Sequence, residues 1–466
     1  MMIKIFSFFV ILFFFLLIPE SFASEKNPEI LIDGYEIEKY VTELNVPIAI
    51  DFIDSDMFVL QKNDGVIHLI QNGKLKEQPI LDLEVSNYGE QGLLGITTVN
   101  DKIYLFFTEA FHDGGLSHGN KIYEYTWDGE KVSNQKLIKS LPGLTSAYNG
   151  GVMTHDLENR IFAVSGSQFT YGALQNIPLD ESLRCYTDGF CNDENKITFF
   201  DSIKQTLSCI NVSFHHYTTN PFGWQTEQPK LNNNPFETNP FNIAVNLNSC
   251  LQAFIFNNFS NGDWKDTSVV LQVKPSVDSY RAIGIRNSFG ITSDPITGNL
   301  WMTDNGPDKF DEINLVDNKF NSGWAKIMGN INDAQLPLIS PYEDFVYSDP
   351  EFSWELPIGI TALDFAEGQL FSKYDGWLFV ADSNNGNIYL LKLNEERNGF
   401  EFKSEHLKDL TVNIDPKNTY GNFHESMSEI MFGTNFGLIT DLKFGPDGAL
   451  YVVSLMEGTI YRITLG

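Results

Sequence analysis

The sequence predicts an all-β fold, a six-bladed β-propeller of four-stranded antiparallel blades with a disulfide-containing insertion. Three observations lead there. One hairpin-rich unit recurs six times, no segment keeps a helical period, and a single long gap in the repeat holds all four cysteines. The composition is that of a folded chain: among 466 residues, 42% are hydrophobic and 38 are Phe, which supplies a large core and excludes global disorder. Asp and Glu number 61 against 31 Lys and Arg, a net charge of −30, and no stretch concentrates the basic residues. Such a chain repels phosphates, so a nucleic-acid partner is not expected.

Residues 1–23 have the form of a signal peptide. Lys4 precedes an apolar run from Ile5 to Ile18 broken only by Ser7, and Ser21-Phe22-Ala23 gives small residues for cleavage after Ala23. The run is shorter than the roughly 20 residues of a bilayer span, and no later stretch qualifies. The mature chain is therefore expected to be secreted or extracytoplasmic, without a stable transmembrane segment.

Residues 29–466 then form the propeller. Glu29 to Leu44 is expected to supply the strand that closes the ring with the last blade. The units follow at Ile48 to Ile70, Leu93 to Phe107, Gly150 to Val164, Phe289 to Met302, Ile360 to Leu390 and Ile439 to Ile463. Each joins short strands of the type x-Leu/Ile-Tyr/Phe-Val through Asp-Gly, Asn-Gly or Pro-Asp-Gly turns, the grammar of antiparallel hairpins. The gap between the third and fourth units exceeds one blade length, and 178–266 is read as the insertion. It contains Cys185, Cys191, Cys209 and Cys250, an even number that suits two disulfides in any of three connectivities. It also holds the sequons at Asn211 and Asn258 and the pair His215-His216.

Five stretches carry a resemblance to a known family. They are Gly89-Glu90-Gln91-Gly92-Leu93-Leu94-Gly95, Asn149-Gly150-Gly151, Gly284 to Gly290, the long run from Thr297 to Trp324 that includes Asn305-Gly306-Pro307 and Asp311-Glu312, and Phe444 to Val452. The chain resembles the glucose/sorbosone dehydrogenases, the soluble quinoprotein sugar dehydrogenases. That resemblance implies a propeller binding pyrroloquinoline quinone (PQQ) over its central channel, a calcium ion beside it, and oxidation of an aldose by hydride transfer to the quinone. By position it makes Glu90, Arg286, Asn287 and Trp354 cofactor-binding, Arg286 and Asn287 also catalytic through the quinone oxygens, and Gly306 and Pro307 calcium ligands through their carbonyls. Asp308, Asp311 and Glu312 would add negative potential near the ion, or simply satisfy turn amides.

Other positions depart from the family pattern. The base His is replaced by Tyr148, and a phenol with a pKa of about 10 is a poor base at neutral pH. Ser167 stands for an Asp, Asn384 for the quinone-contacting Lys, and Leu438 and Thr440 for two Arg residues. The nearest imidazole, His155, is expected at a solvent-facing β-turn. Three readings follow: a PQQ- and calcium-dependent aldose dehydrogenase; a noncatalytic propeller that binds a sugar or glycan, a protein partner or calcium through the channel mouth and the insertion; and, with no separate support, a hydrolase or lactonase that uses a calcium-activated water in the same channel. No phosphate loop, nucleophile elbow or H-E-x-x-H offers a further chemistry.

Overall fold

The structure, a computed structural model, describes residues 27–143, 145–168, 176, 266–274, 280–331, 335–339, 344–413 and 427–466. Its strands fall into six sheets. Their first strands are Pro47–Ile53, Leu93–Val99, Gly150–His155, Ile291–Ser293, Ile360–Phe365 and Ile439–Phe444. Each lies beside the first strand of the next sheet, and the last returns to the first, so the six line a central channel. The architecture is an all-β propeller.

The second strands explain the apolar runs of the repeat. Ile161–Ser165, Leu300–Asp304, Leu378–Asp382 and Leu450–Ser454 are buried at every residue. Each lies inside a sheet covered on both faces by its neighbours, so the alternation of a half-exposed strand gives way to a continuous hydrophobic stretch. The hydrophobic core accordingly divides into six clusters, one between each pair of adjacent sheets. Phe58 and Leu60 of the first sheet pack against Leu105 and Phe107 of the second, for example. No blade can bury its faces alone, which makes stability a property of the ring.

Closure comes from the two ends of the described chain. Tyr35–Val41 pairs antiparallel with Thr459–Leu465, from Tyr35 opposite Leu465 to Val41 opposite Ile460. Glu29–Ile30 reaches one sheet further and pairs with Gly433 and Thr434 of the fifth sheet. The N-terminal segment thus joins the fifth and sixth sheets as well as sealing the ring.

Not every sheet is a plain four-stranded meander. The third gains Phe320–Asn321 and Val346–Tyr347, both in parallel register, and the fourth gains Thr411–Val412, parallel to Phe352–Trp354. These outer additions come from long connections that lie along the rim, which the hairpin pattern does not announce. Besides strands, the described residues contain three short 3₁₀ turns, at Leu336–Leu338, Gln369–Tyr374 and Glu405–Leu407. None of their helices is long and apolar enough to cross a membrane. The expected signal peptide, all four cysteines, both sequons, His215 and His216 lie outside the described residues.

Candidate functional site

A cavity of about 260 Å³ occupies the channel, and its lining takes in Lys62, Ser383 and Leu455 on the connections that leave the second strands. It lies just below the usual size of small-ligand pockets, about 300–1,000 Å³, and suits a molecule the size of a monosaccharide. Its waist is apolar, built from Leu94, Ile96, Met153, Phe289, Ile291 and Leu363, with Lys62 and Glu90 at one end and Asp441 and Lys443 at the other.

The family positions meet beside Glu90. Arg286 donates from Nη2 to the Tyr148 hydroxyl at 2.6 Å and from Nη1 to the Asn305 carbonyl at 2.5 Å. Its guanidinium lies over the Tyr148 ring at 4.2 Å and over the Trp324 ring at 5.3 Å, a cation held between two aromatic faces. The Tyr148 amide donates to Glu90 Oε2 at 2.5 Å, and Asn287 Nδ2 donates to both Glu90 oxygens at 3.2 and 3.3 Å. Burial pushes the Glu90 carboxyl above its ordinary range, against the pull of these donors and of Arg286. Glu90, Tyr148, Arg286 and Asn287 are thus one hydrogen-bonded cluster drawn from three sheets.

Backbone geometry aims these groups. Tyr148 adopts φ +60, an uncommon conformation for a side chain of its size, directly before Asn149-Gly150-Gly151. Gly151 needs its missing Cβ because one there would stand 2.5 Å from Leu94 Cβ. Gly95 presses on the same contact from the other side, its Cβ position 2.1 Å from the Gly151 carbonyl. The second and third sheets therefore touch backbone to backbone under the cluster. Arg286 and Asn287 are held by Asp304, whose carboxylate accepts both of their amides at 2.9 and 2.7 Å. Burial pushes Asp304 up to about 6.

Gly306 and Pro307 lie on the connection after Leu300–Asp304, next to this cluster. The acidic residues beside them are already engaged. Asp311 accepts the amides of Gly306, Ile358, Gly359 and Ile360. Glu312 accepts from the Gly329 amide and from Asn314 Nδ2. Asp308 is exposed. Among the described residues no group of three or more His, Cys, Asp or Glu is placed to hold a metal. Calcium at this loop would rest on backbone carbonyls, a thin set for an ion that takes six to eight oxygens.

Trp354 is fully buried in the core between the fourth and fifth sheets, packed on Phe352 at 4.8 Å and Tyr389 at 5.2 Å, and offers no surface to a ligand. Ser167 is buried as well. Asn384 is exposed at the mouth beside Ser383, and Leu438 and Thr440 line the cavity itself. The residues present do not fit a tricarboxylate quinone. Arg286 already gives one bond from each terminal nitrogen to Asn305 and Tyr148, and Leu438 and Thr440 bring no charge where the resemblance implies two cations.

His155 corrects an expectation. It ends the strand Gly150–His155 instead of facing solvent on a turn, and it lies half-buried with Nδ1 3.0 Å from Thr97 Oγ1. Burial holds its imidazole below the ordinary value. It belongs to a polar belt at the far end of the channel, where each carboxylate ties its own sheet to one or both neighbours. Asp51 accepts the Thr98 amide, Asp441 the Ile50 amide, and Asp364 the Phe444 amide and the Thr292 hydroxyl. Burial opposes the charge of Lys443, yet Asp364, Asp51 and Asp441 hold its ammonium above the ordinary range. Burial also pushes Asp441 up to about 7.

Sequence reasoning missed Lys62, Asp304, Trp324 and Lys443. Lys62 was findable from the repeat, since the second strands end at Gln61, Asp382 and Ser454, and the residues that follow, Lys62, Ser383 and Leu455, all line the cavity.

Comparison with known proteins agrees with this architecture. The profile described as Glucose / Sorbosone dehydrogenase matches residues 44–197 and 265–462. Aldose sugar dehydrogenase YliI of Escherichia coli K12 is 24% identical over 116 residues, which are 24% of this chain and 31% of that protein. The chain spans about a third of the length of the curated relatives it matches, 36% and 31%. The apo-form of the soluble aldose sugar dehydrogenase from Escherichia coli superposes with a TM-score of 0.55 at 16% identity, covering 93% of this chain and 99% of that one. The PQQ-bound aldose sugar dehydrogenase from Streptomyces coelicolor gives 0.53 at 14% identity, covering 94% and 100%. These structural likenesses speak for the fold. With the profile spanning most of the propeller, the chain belongs to the glucose/sorbosone dehydrogenase family.

Proposed function

We propose that the protein is an exported, six-bladed propeller, one blade per sheet, that binds a sugar or glycan at the channel mouth and does not oxidise it with PQQ. The observation that carries this reading is the state of Tyr148. At the position of the family's base, its hydroxyl accepts a bond from Arg286 and its ring lies against the guanidinium. With a phenol there in place of an imidazole, the position lacks the acceptor nitrogen on which the family's reaction relies. No imidazole lines the cavity among the described residues. What remains suits polyol binding: Glu90, Ser383 and Lys62 offer acceptors and donors around an apolar waist, the usual make-up of a small-molecule pocket.

The second reading, a PQQ- and calcium-dependent aldose dehydrogenase, is favoured by the convergence of Glu90, Arg286 and Asn287. One experiment separates the two. The purified chain is titrated with PQQ in the presence of calcium, and with a panel of sugars, by calorimetry and absorbance. Sugar binding without a one-to-one quinone complex is the expected result. Tight quinone binding followed by sugar-dependent reduction of the bound quinone would establish the dehydrogenase and overturn the binding-protein reading.

A further inference from the structure

Lys62 is the cation at the mouth of the cavity, and the fold spends considerable structure on holding it there. Its amide donates to the Val46 carbonyl at 3.0 Å, and its carbonyl accepts the Leu93 amide at 2.9 Å, fixing its backbone between the first and second sheets. The stem lies against Gly92, where a Cβ would come within 2.7 Å of Lys62 Cγ. The ammonium donates to the Gly89 carbonyl at 2.8 Å and to Asn63 Oδ1 at 3.1 Å. An ammonium has three protons to give, so one remains for a ligand in the cavity.

Among the described residues, Lys62 has no carboxylate within ion-pair distance. Glu90, the acid nearest in the electrostatics of the mouth, already accepts from the Tyr148 amide and from Asn287. The ammonium therefore stands partly dehydrated above a waist of Leu94, Met153 and Phe289, a costly arrangement that a ligand anion relieves. Burial pushes its pKa down to about 8, in line with that geometry. Resting on the sugar-binding reading above, we infer that Lys62 makes this pocket selective for a carboxylate-bearing sugar, an aldonate or uronate, over the corresponding neutral sugar. The ligand's carboxylate takes the third ammonium proton as a hydrogen bond, and its hydroxyls face Glu90 and Ser383.

The test is calorimetry on the purified full chain near pH 7 with gluconate, glucuronate, glucose, acetate and PQQ, repeated with Lys62→Met and Lys62→Arg after melting curves show that each variant folds. The sugar acids are expected to bind about tenfold or more tighter than glucose, the worth of one charge-assisted hydrogen bond. Lys62→Met should erase that gap by weakening the sugar acids far more than glucose, and Lys62→Arg should keep most of it. Equal affinity for glucose and glucuronate, or a preference that survives in Lys62→Met, overturns the inference and leaves the sugar-binding reading standing. Acetate binding as tightly as the sugar acids, or PQQ outcompeting them through Lys62, shows that the carboxylate is recognised on another molecule and overturns the sugar-acid assignment. Failure of every sugar, acidic or neutral, sinks the sugar-binding reading together with the inference.

Discussion

Replacing Arg286 by Lys keeps the charge at the site and removes its shape. In the wild type the guanidinium makes two directed bonds, to Asn305 O and Tyr148 Oη, while its plane lies between the Tyr148 and Trp324 rings. A lysine ammonium can reach one of those acceptors, so one charge-assisted bond is lost, about 1.5–3 kcal/mol. The stacked plane goes as well, about 0.5–2 kcal/mol in a partly buried setting. The expected loss is therefore roughly 2–5 kcal/mol, far from the neutral exchange that charge conservation alone suggests. Urea unfolding followed by tryptophan fluorescence reads it: with a slope of about 1–3 kcal/mol per molar, the midpoint should fall by roughly 1 M or more. Arg286→Met, which also strips the counter-charge from buried Glu90, should fall further. A midpoint for Arg286→Lys within about 0.3 M of wild type would refute the argument, because then neither the fork nor the stacking stabilises the fold.

Three further outcomes follow from the same geometry. Gly95→Ala drives a methyl into the Gly151 carbonyl and should cost about 1–3 kcal/mol by prising the second and third sheets apart, measured as a drop in melting temperature. Lys443→Met leaves Asp51, Asp364 and Asp441 without their shared cation and should cost about 3–5 kcal/mol at pH 8; the loss shrinks toward pH 5 as Asp441 takes up a proton. In the wild type, burial pushes Glu351 up to about 8 and Asp441 up to about 7. Between the ordinary carboxylate range and those values the folded state holds protons that the unfolded chain has lost. This contribution therefore favours folding as pH falls from about 8 toward 5, and is lost as pH rises through 7 to 8. Melting curves in that interval should show the rise, and Asp441→Asn should make it shallower by the share of one carboxyl.

Much of this molecule is legible in the sequence because the repeat imposes it. Ile360 to Phe365 and Leu378 to Asp382 alternate or run apolar for reasons of burial, and Asp-Gly or Asn-Gly turns mark their ends. Glu90, Tyr148, Arg286 and Asn287 lie in short Gly-bearing stretches whose geometry demands particular residues, so they could be named before any coordinates. Trp354 shows the opposite case. Its neighbourhood in sequence suggests a cofactor face, yet its strand pairs with Asp311–Val316 inside the fourth sheet and turns the indole into the core. His155 was misplaced because Asp156 begins a turn, and nothing local tells that the preceding imidazole points into a belt assembled from other sheets. Asp304 and Lys443 share that difficulty: Asp304 gains its role from amides on the connection between the third and fourth sheets, and Lys443 from carboxylates of the first and fifth sheets as well as its own.

The seam between Tyr35–Val41 and Thr459–Leu465 has a consequence for how the molecule comes into being. The earliest strand of the propeller to leave the ribosome finds its partner only when the last one arrives. Until then its backbone amides and carbonyls form an open edge, able to recruit a strand from another chain as readily as its own. Pairing across so long a loop is slow, and the edge stays within reach of neighbours throughout that wait. Crowded refolding should therefore yield exchanged dimers, each ring completed by its neighbour's first strand, whereas dilute refolding should yield monomers.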